Sequence, residues 1–203
     1  MALIKLNNRS VKDATAFGSI SSLGDLTFIS KQTASSSATI SFTSGIDSTY
    51  KEYIFYFNNI HPATDGANFQ FQGDTGTNTN YNQTITSTMF MANHNESGST
   101  TQFGYEGGYD LAQGTGFQPL QSGGLIGNGN DECLSGFLHL FNPSSSTFVK
   151  HFTATTNQYA SFDYSINSFI GGYFNTTTAI TRLQFKMASG NIDSGDILLF
   201  GLN

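Results

Sequence analysis

Apolar and polar residues alternate along much of this chain. In residues 38–43 the even positions are Ala, Ile and Phe and the odd positions are Thr, Ser and Thr, a period of two that predicts a β-strand with one buried face. Within the predicted strand 180–187, residues 182–187 alternate in the same way, so this late strand should turn an apolar side to the core and a charged side to solvent. Residues 51–57 are apolar on both sides, which is typical of a strand in the middle of a sheet.

Seven more segments are rich in β-branched and aromatic residues and predict further strands: 26–31, 67–72, 84–91, 136–142, 147–154, 165–173 and 196–202. Turn-forming residues separate them, as at 142–146, 189–191 and 193–196. Such short links favour antiparallel pairing, and no segment shows a sustained helical period with caps. We therefore predict an all-β fold of eight to ten strands, an antiparallel two-sheet β-sandwich that is jelly-roll-like. Its core should include Ile40, Phe42, Tyr53, Phe55, Phe57, Leu183 and Phe185.

Two regions depart from the strand pattern. Residues 93–131 are dense in Gly, Ser, Gln and Asn, which predicts a long loop excursion at one end of the sandwich, where binding function often lies. Residues 1–25 show no clear strand period and predict an extended N-terminal arm ahead of a single sandwich domain over 26–203. The alternative for 1–25 is a first edge strand of that domain.

Composition narrows the range of partners. The chain has 203 residues, of which 11% are charged, so uncharged polar groups must cover much of its surface. The net charge is -6 and only eight basic residues are spread along the chain, which argues against a nucleic-acid partner. We find no signal-peptide pattern and no apolar stretch that could span a bilayer, so we expect no membrane insertion and a protein made in a cytoplasm that stays soluble.

Residues that could carry chemistry are few and scattered. The four histidines lack metal-ligand spacing, although residues distant in sequence can still meet in a fold. His139 alternates with two phenylalanines and is expected to be a core or interface imidazole. The neighbouring pair Asp131 and Glu132 would point to opposite faces of a strand and is interpreted as solvated loop charge.

Two further features also favour structural roles. Residues 193–196 lack the remaining ligands of a calcium loop and predict a turn. The single Cys133 can form no internal disulfide and is expected to be a small loop or core residue. We therefore expect a protein that is not an enzyme, with no cofactor and no metal.

The two ends of the chain resemble a known group of proteins. Residues 1–10, MALIKLNNRS, and residues 194–202, SGDILLFGL, are similar to the ends of small virion structural proteins of tailed bacteriophages, especially marine ones. In that group a short N-terminal arm precedes a jelly-roll-like sandwich whose last strand ends in a Gly-aliphatic pair. The resemblance covers the two ends and the β-rich character of the middle, but not residues 93–131.

The resemblance implies a structural role on the virion, assembled in the host cytoplasm. The chain would be either a capsid decoration protein or head fibre, or a component of the tail fibre and its host-attachment apparatus. Its partners would be other capsid or tail proteins and further copies of itself, with a homo-trimer as the first expectation. The expected attachment residues lie in the arm and combine aliphatic, aromatic and basic side chains that suit an acidic acceptor: Leu3, Ile4, Lys5, Leu6, Arg9, Lys12 and Phe17.

Two other classes of function stay open. A carbohydrate-binding module that takes a host surface glycan would stack aromatic rings on sugars. Nine tyrosines favour that reading and the absence of tryptophan counts against it. A β-sandwich hydrolase ranks last, because no local group of residues supplies an acid pair or a nucleophile with its base.

Overall fold

A computed structural model describes residues 26–122 and 126–203 of the chain, and this part is all-β, as predicted. It contains twelve strands: β1 (Leu26–Thr33), β2 (Ile40–Phe42), β3 (Glu52–Pro62), β4 (Phe69–Thr75), β5 (Ile85–Asn95), β6 (Thr101–Tyr105), β7 (Gln118–Pro119), β8 (Leu134–Phe141), β9 (Lys150–Ala160), β10 (Tyr164–Phe174), β11 (Ile180–Met187) and β12 (Ile192–Leu202). No helix in this part is long and apolar enough to cross a membrane.

The strands form two antiparallel sheets, so the predicted two-sheet sandwich is confirmed. The larger sheet has eight strands in the order β1-β12-β3-β8-β9-β10-β5-β6, and the smaller has four in the order β2-β11-β4-β7. Hairpins join β5 to β6 and β9 to β10 within the larger sheet, whereas β11 and β12 follow each other in sequence but belong to different sheets. The chain therefore crosses repeatedly between the two layers.

All ten predicted strand segments overlap observed strands, and β3 lies inside the larger sheet between β12 and β8, as expected of a strand buried on both sides. Two strands, β6 and β7, were missed. Both fall in residues 93–131, which also contribute Gln118, Leu120 and Gln121 to the buried interior. This segment is therefore packed against the sandwich over part of its length.

The core lies between the inner faces of the two sheets. The seven residues predicted for it are all buried, with at most 5% of their surface exposed. Phenylalanine rings dominate the contacts: Phe55 meets Phe42 at 5.2 Å and Phe185 at 5.4 Å between ring centroids. Further along the core, Phe71 meets Phe152 at 5.1 Å in an edge-on arrangement. Burial and edge-to-face geometry both favour this packing.

The prediction of a turn at residues 193–196 is wrong. These residues belong to β12, where the pairing with β3 shifts register at Ser194. Gly195 has a φ of 116°, and a Cβ there would lie 2.5 Å from the carbonyl oxygen of Asn59. Gly195 therefore allows a bulge in a paired strand, while residues 189–191 lie in the short link between β11 and β12, where the chain bends over 188–190.

The predicted N-terminal arm, residues 1–25, lies outside the described residues. The same holds for its expected attachment residues Leu3, Ile4, Lys5, Leu6, Arg9, Lys12 and Phe17. The arm would join the sandwich at Leu26, the first residue of the edge strand β1. Its role as an attachment element stays a prediction.

Candidate binding surface on the eight-stranded sheet

The outer face of the eight-stranded sheet carries aromatic side chains. Because the smaller sheet packs on the inner face, every second residue of the long strands points away from the core. At these positions the sequence often places aromatic or aliphatic residues where a solvated face would have charged ones. Several of these side chains are exposed in the described part of the chain: Leu26, Phe28, Phe90, Phe103, Tyr105 and Phe141.

One group of outer-face residues lies at the β1 edge, and we call Leu26, Phe28, Tyr56 and Phe200 the β1-side patch. Phe28 and Phe200 are paired across β1 and β12 with ring centroids 5.5 Å apart. Phe200 also meets Tyr56 of β3 at 5.6 Å. Phe28 keeps 55% of its surface exposed, so this patch ends at the sheet edge in an aromatic ring that faces solvent.

A second group lies at the opposite edge, and we call Phe90, Phe103, Tyr105 and Phe169 the β6-side patch. Phe90 stacks on Phe169 with centroids 4.9 Å apart and meets Phe103 at 5.7 Å. Phe103 is 74% exposed. The Tyr105 hydroxyl donates a hydrogen bond to Asp110, which raises the pKa of the tyrosine.

Register aligns the two patches on one face. Phe137 of β8 lies opposite Thr155 of β9, which in turn lies opposite Phe169 of β10. Thr153 and Thr155 place hydroxyls between the aromatic groups. Aromatic side chains therefore continue from the β1-side patch to Phe137, which meets Tyr56 at 6.3 Å, and the threonines of β9 separate them from the β6-side patch.

His139 lies on this outer face and is half-buried. Its ring contacts Phe137 at 5.1 Å and Phe141 at 6.1 Å, so the predicted shared face is confirmed. Its Nδ1 is hydrogen-bonded to the carboxylate of Glu52 on β3. The imidazole is thus satisfied by a carboxylate at the surface of the sheet rather than buried between the two sheets.

The four histidines do not come together. His61 contacts Asp193, His94 is exposed on β5, His139 pairs with Glu52, and His151 lies beside Tyr173 with ring centroids 5.8 Å apart. Within residues 26–122 and 126–203, no three His, Cys, Asp or Glu side chains are grouped to hold a metal ion.

A recess of about 250 Å³ brings His61, Glu132 and Cys133 together. His61 Nε2 lies 3.1 Å from the carbonyl oxygen of Gly129, to which it donates, and Nδ1 lies 3.6 Å from Asp193. Burial raises the pKa of the Cys133 thiol, which favours the protonated form over the nucleophilic thiolate. Nothing in this geometry activates the cysteine.

The acidic pair in this region only partly matches its prediction. Asp131 is exposed, as expected of a solvated charge, whereas Glu132 is half-buried and accepts a hydrogen bond from the N–H of Gly129. A Cβ at Gly127 would lie 2.1 Å from the Glu132 carboxylate. Glu132 therefore organises the loop before β8.

Another recess, lined by His94, Glu96 and Tyr159, has a volume of about 250 Å³. The Tyr159 hydroxyl donates to Asp163 at 3.1 Å. Burial, together with this acidic neighbour, raises the pKa of Tyr159 to about 12. The hydroxyl therefore stays protonated near neutral pH and serves as a hydrogen-bond donor.

The sequence carried a signal for the aromatic patches that the strand predictions did not use. In residues 84–91, Met89 and Met91 lie on one side of the strand and Phe90 on the other. The side of Phe90 otherwise carries Thr84, Thr86 and Thr88, so alternation assigns Met89 to the core and leaves Phe90 as an aromatic residue on the solvent side. Phe103 lies in the region interpreted as a loop, where no face could be assigned.

Comparisons with protein families, with curated proteins and with solved structures found no match to this chain. A function is therefore argued from the geometry of the sandwich and from the resemblance at the two ends of the chain.

Proposed function

We propose that this chain is a non-enzymatic virion structural protein that assembles with copies of itself through the β1-side and β6-side patches. The observation that carries the proposal is the exposure of aromatic rings at both edges of one sheet, above all Phe28 and Phe103. Contiguous exposed apolar groups mark contact surfaces, and aromatic residues contribute strongly to them when a partner excludes water.

The position of the patches favours a ring of copies. If the β1-side patch of one copy packs on the β6-side patch of the next, each copy uses two different surfaces, and the contact repeats until the ring closes. Seven gaps of about 4.8 Å separate β1 from β6, so Phe28 and Phe103, at the outer edges of the two patches, lie about 34 Å apart across the sheet. One copy can therefore hold two neighbours at once, as the expected trimer requires.

The virion assignment rests on the resemblance at residues 1–10 and 194–202. A surface with few charges supports it, because uncharged polar groups enter packed protein layers at a lower desolvation cost than charges. The predicted arm would precede Leu26, which is itself part of the β1-side patch. From there it can reach a neighbouring capsid or tail protein.

Two complementary variants test the ring. Phe28→Ser removes a ring from the β1-side patch, and Phe103→Ser removes one from the β6-side patch. Sedimentation should show a trimer for the unaltered chain and monomers for each variant alone. An equal mixture of the two variants should form dimers, since one intact patch of each kind remains in every mixed pair. Phe162→Ser, at a ring that is 48% exposed outside both patches, serves as the control and should remain trimeric.

Other outcomes contradict this arrangement. If Phe28→Ser alone still forms dimers, the β6-side patch pairs with itself and the ring is wrong. If the unaltered chain is monomeric and does not bind purified particles of its phage, the assembly role is wrong as well. Antibody imaging of intact particles would then place the chain on the head, on the tail or on neither.

Deleting residues 2–22 tests the attachment arm. If residues 1–25 form an arm outside the sandwich, the shortened chain should keep its melting temperature while losing incorporation into particles. Burial of each large apolar side chain of the arm on a partner would contribute about 1.5–3 kcal/mol before the cost of ordering. Unfolding of the shortened chain would show instead that this segment is an integral strand of the sandwich.

A further inference from the structure

A recess of about 500 Å³ lies where β8 ends and β9 begins. Phe141 and Phe148 line it, and Phe148 keeps 68% of its surface exposed although it stands in a short loop between two strands. Phe141 is the last residue of β8 and His151 the second residue of β9, and none of the lining residues belongs to the β1-side or β6-side patch. Its size falls in the range of small-molecule sites, which are about 300–1,000 Å³.

A buried lysine connects the two loops that flank this recess. Lys150 is fully buried, and its ammonium donates hydrogen bonds to the carbonyl oxygens of Phe148 at 2.7 Å and Thr176 at 3.2 Å. Burial lowers the pKa of this lysine, so the fold carries a desolvation cost at this position. The two carbonyls belong to the two loops that flank the recess.

The loop that carries Phe148 is further constrained from inside. The Ser145 hydroxyl accepts hydrogen bonds from the N–H groups of Thr147 at 3.2 Å and Phe148 at 3.0 Å. The N–H of Ser145 in turn donates to the carbonyl of Asn142 at 3.1 Å. An exposed aromatic ring is therefore held on a preformed loop, which lowers the entropic cost of binding a ligand.

The remaining lining groups indicate the chemistry of the ligand. In the described part of the chain, the side chains of Asn142, Thr177 and His151 line the recess and make no hydrogen bond to other residues. Among the described residues, no Asp, Glu, Lys or Arg side chain lines it, and the ammonium of Lys150 is bonded to the carbonyls of Phe148 and Thr176. The described lining residues thus offer aromatic surface and uncharged polar groups.

We propose that this recess binds a neutral sugar ring. A pyranose presents a face of C–H groups that can pack on Phe148 and Phe141, and a rim of hydroxyls that can pair with the Asn142 amide and the Thr177 hydroxyl. An aliphatic ligand would leave those polar groups without partners, and an acidic sugar would find no Lys or Arg side chain among the described lining residues. This inference is independent of the proposed ring, because the recess lies outside both patches.

Titration calorimetry with the tetrasaccharides of glucose, galactose and mannose tests the site on the full chain. We expect at least one of these neutral sugars to bind, and Phe148→Ala to weaken that binding by about tenfold or more. Asn142→Ala should weaken it as well, through loss of the amide. Phe162→Ala is the matched control, since Phe162 is an exposed ring at the opposite end of the β9–β10 hairpin, and it should bind as the unaltered chain does.

Tetragalacturonate and decanoate serve as the competing probes. Stronger binding of either one than of every neutral sugar would overturn the proposal, as would the absence of sugar binding by the unaltered chain. Unchanged affinity in Phe148→Ala, with its fold verified by an unaltered melting temperature, would place any sugar elsewhere. Failure of the sugar experiment leaves the sedimentation test unaffected, so the two proposals can fail separately.

Discussion

Phe55 illustrates how single aromatic residues hold this sandwich together. Its ring is fully buried between Phe42 of the smaller sheet's β2 and Phe185 of β11. Phe55→Ala should lower the free energy of unfolding by about 3–5 kcal/mol, because the cavity adds to the lost transfer energy. Urea unfolding at constant protein concentration measures this. Phe162→Ala is the control and should change the free energy of unfolding by about 0.5 kcal/mol or less. A loss below about 1 kcal/mol in Phe55→Ala would contradict the position of Phe55 in the core.

Two aspartates make the stability of the fold depend on acid pH. The hydroxyl and N–H of Thr49, with the Tyr53 hydroxyl, lower the pKa of Asp47. Hydrogen bonds from Thr33 and Lys31 lower the pKa of Asp196. The pKa values of both carboxyl groups are lower in the folded chain than in the unfolded chain. The two carboxylates therefore contribute to the free energy of unfolding above the ordinary Asp pKa of about 3.9, and this contribution is lost as the pH falls through the folded pKa values.

The double variant Asp47→Asn and Asp196→Asn should therefore melt with a weaker dependence on pH below about 4 than the unaltered chain. Thermal melts across this range measure the difference. Asp131→Asn, at an exposed loop carboxylate, serves as the control. Equal pH dependence in the double variant and the unaltered chain would mean that these carboxylates gain nothing from folding.

At the scale of elements, buried glutamines attach the segment that contains β7. Gln121 donates from Nε2 to the carbonyl of Ala67 at 3.1 Å and accepts from the N–H of Phe69 at 2.9 Å. Gln118 donates to the carbonyl of Tyr109 at 2.9 Å and accepts from the Ser87 hydroxyl at 2.5 Å. A side-chain amide carries both a donor and an acceptor, so it can substitute for a neighbouring strand.

Gln121→Ala should lower the free energy of unfolding by about 1–3 kcal/mol, because it leaves the buried N–H of Phe69 without its partner. Chemical unfolding compared with Gln102→Ala measures the effect, since Gln102 is exposed on β6. An equal response of both variants would show that water replaces the lost amide at no cost. The packing of residues 118–122 would then rest on apolar contacts.

At the scale of the whole molecule, the low charge separates this chain from proteins that assemble by electrostatic attraction. Both proposed patches are aromatic, and only 11% of all residues are charged. Salt screens interactions between exposed charges but has little effect on apolar contact. We therefore expect the sedimentation mass to stay the same between about 0.05 and about 0.5 M sodium chloride. Dissociation of the assembly in high salt would indicate that ion pairs hold the copies together.

The sequence by itself determined ten of the twelve described strands and much of the core. Alternation over 38–43 and 182–187 is a local property, and a two-residue period places Phe42, Leu183 and Phe185 on the apolar sides of their own strands regardless of which strands pair. The all-β class follows from these local patterns. The arm at residues 1–25 remains a sequence prediction.

Only the tertiary structure decided which strands became neighbours and which strand faces stayed exposed to solvent. Phe90 lies on the threonine side of its strand, and only the pairing of β5 with β10 and β6 brings its ring against Phe169 and Phe103. The same packing turned Gln118 and Gln121 inward, where backbone groups distant in sequence meet them. The recess at Phe148 likewise depends on Lys150 joining two loops whose residues are 28 positions apart, counted from Phe148 to Thr176. Pairing between distant segments is set by the burial of the whole fold, which a local period does not contain.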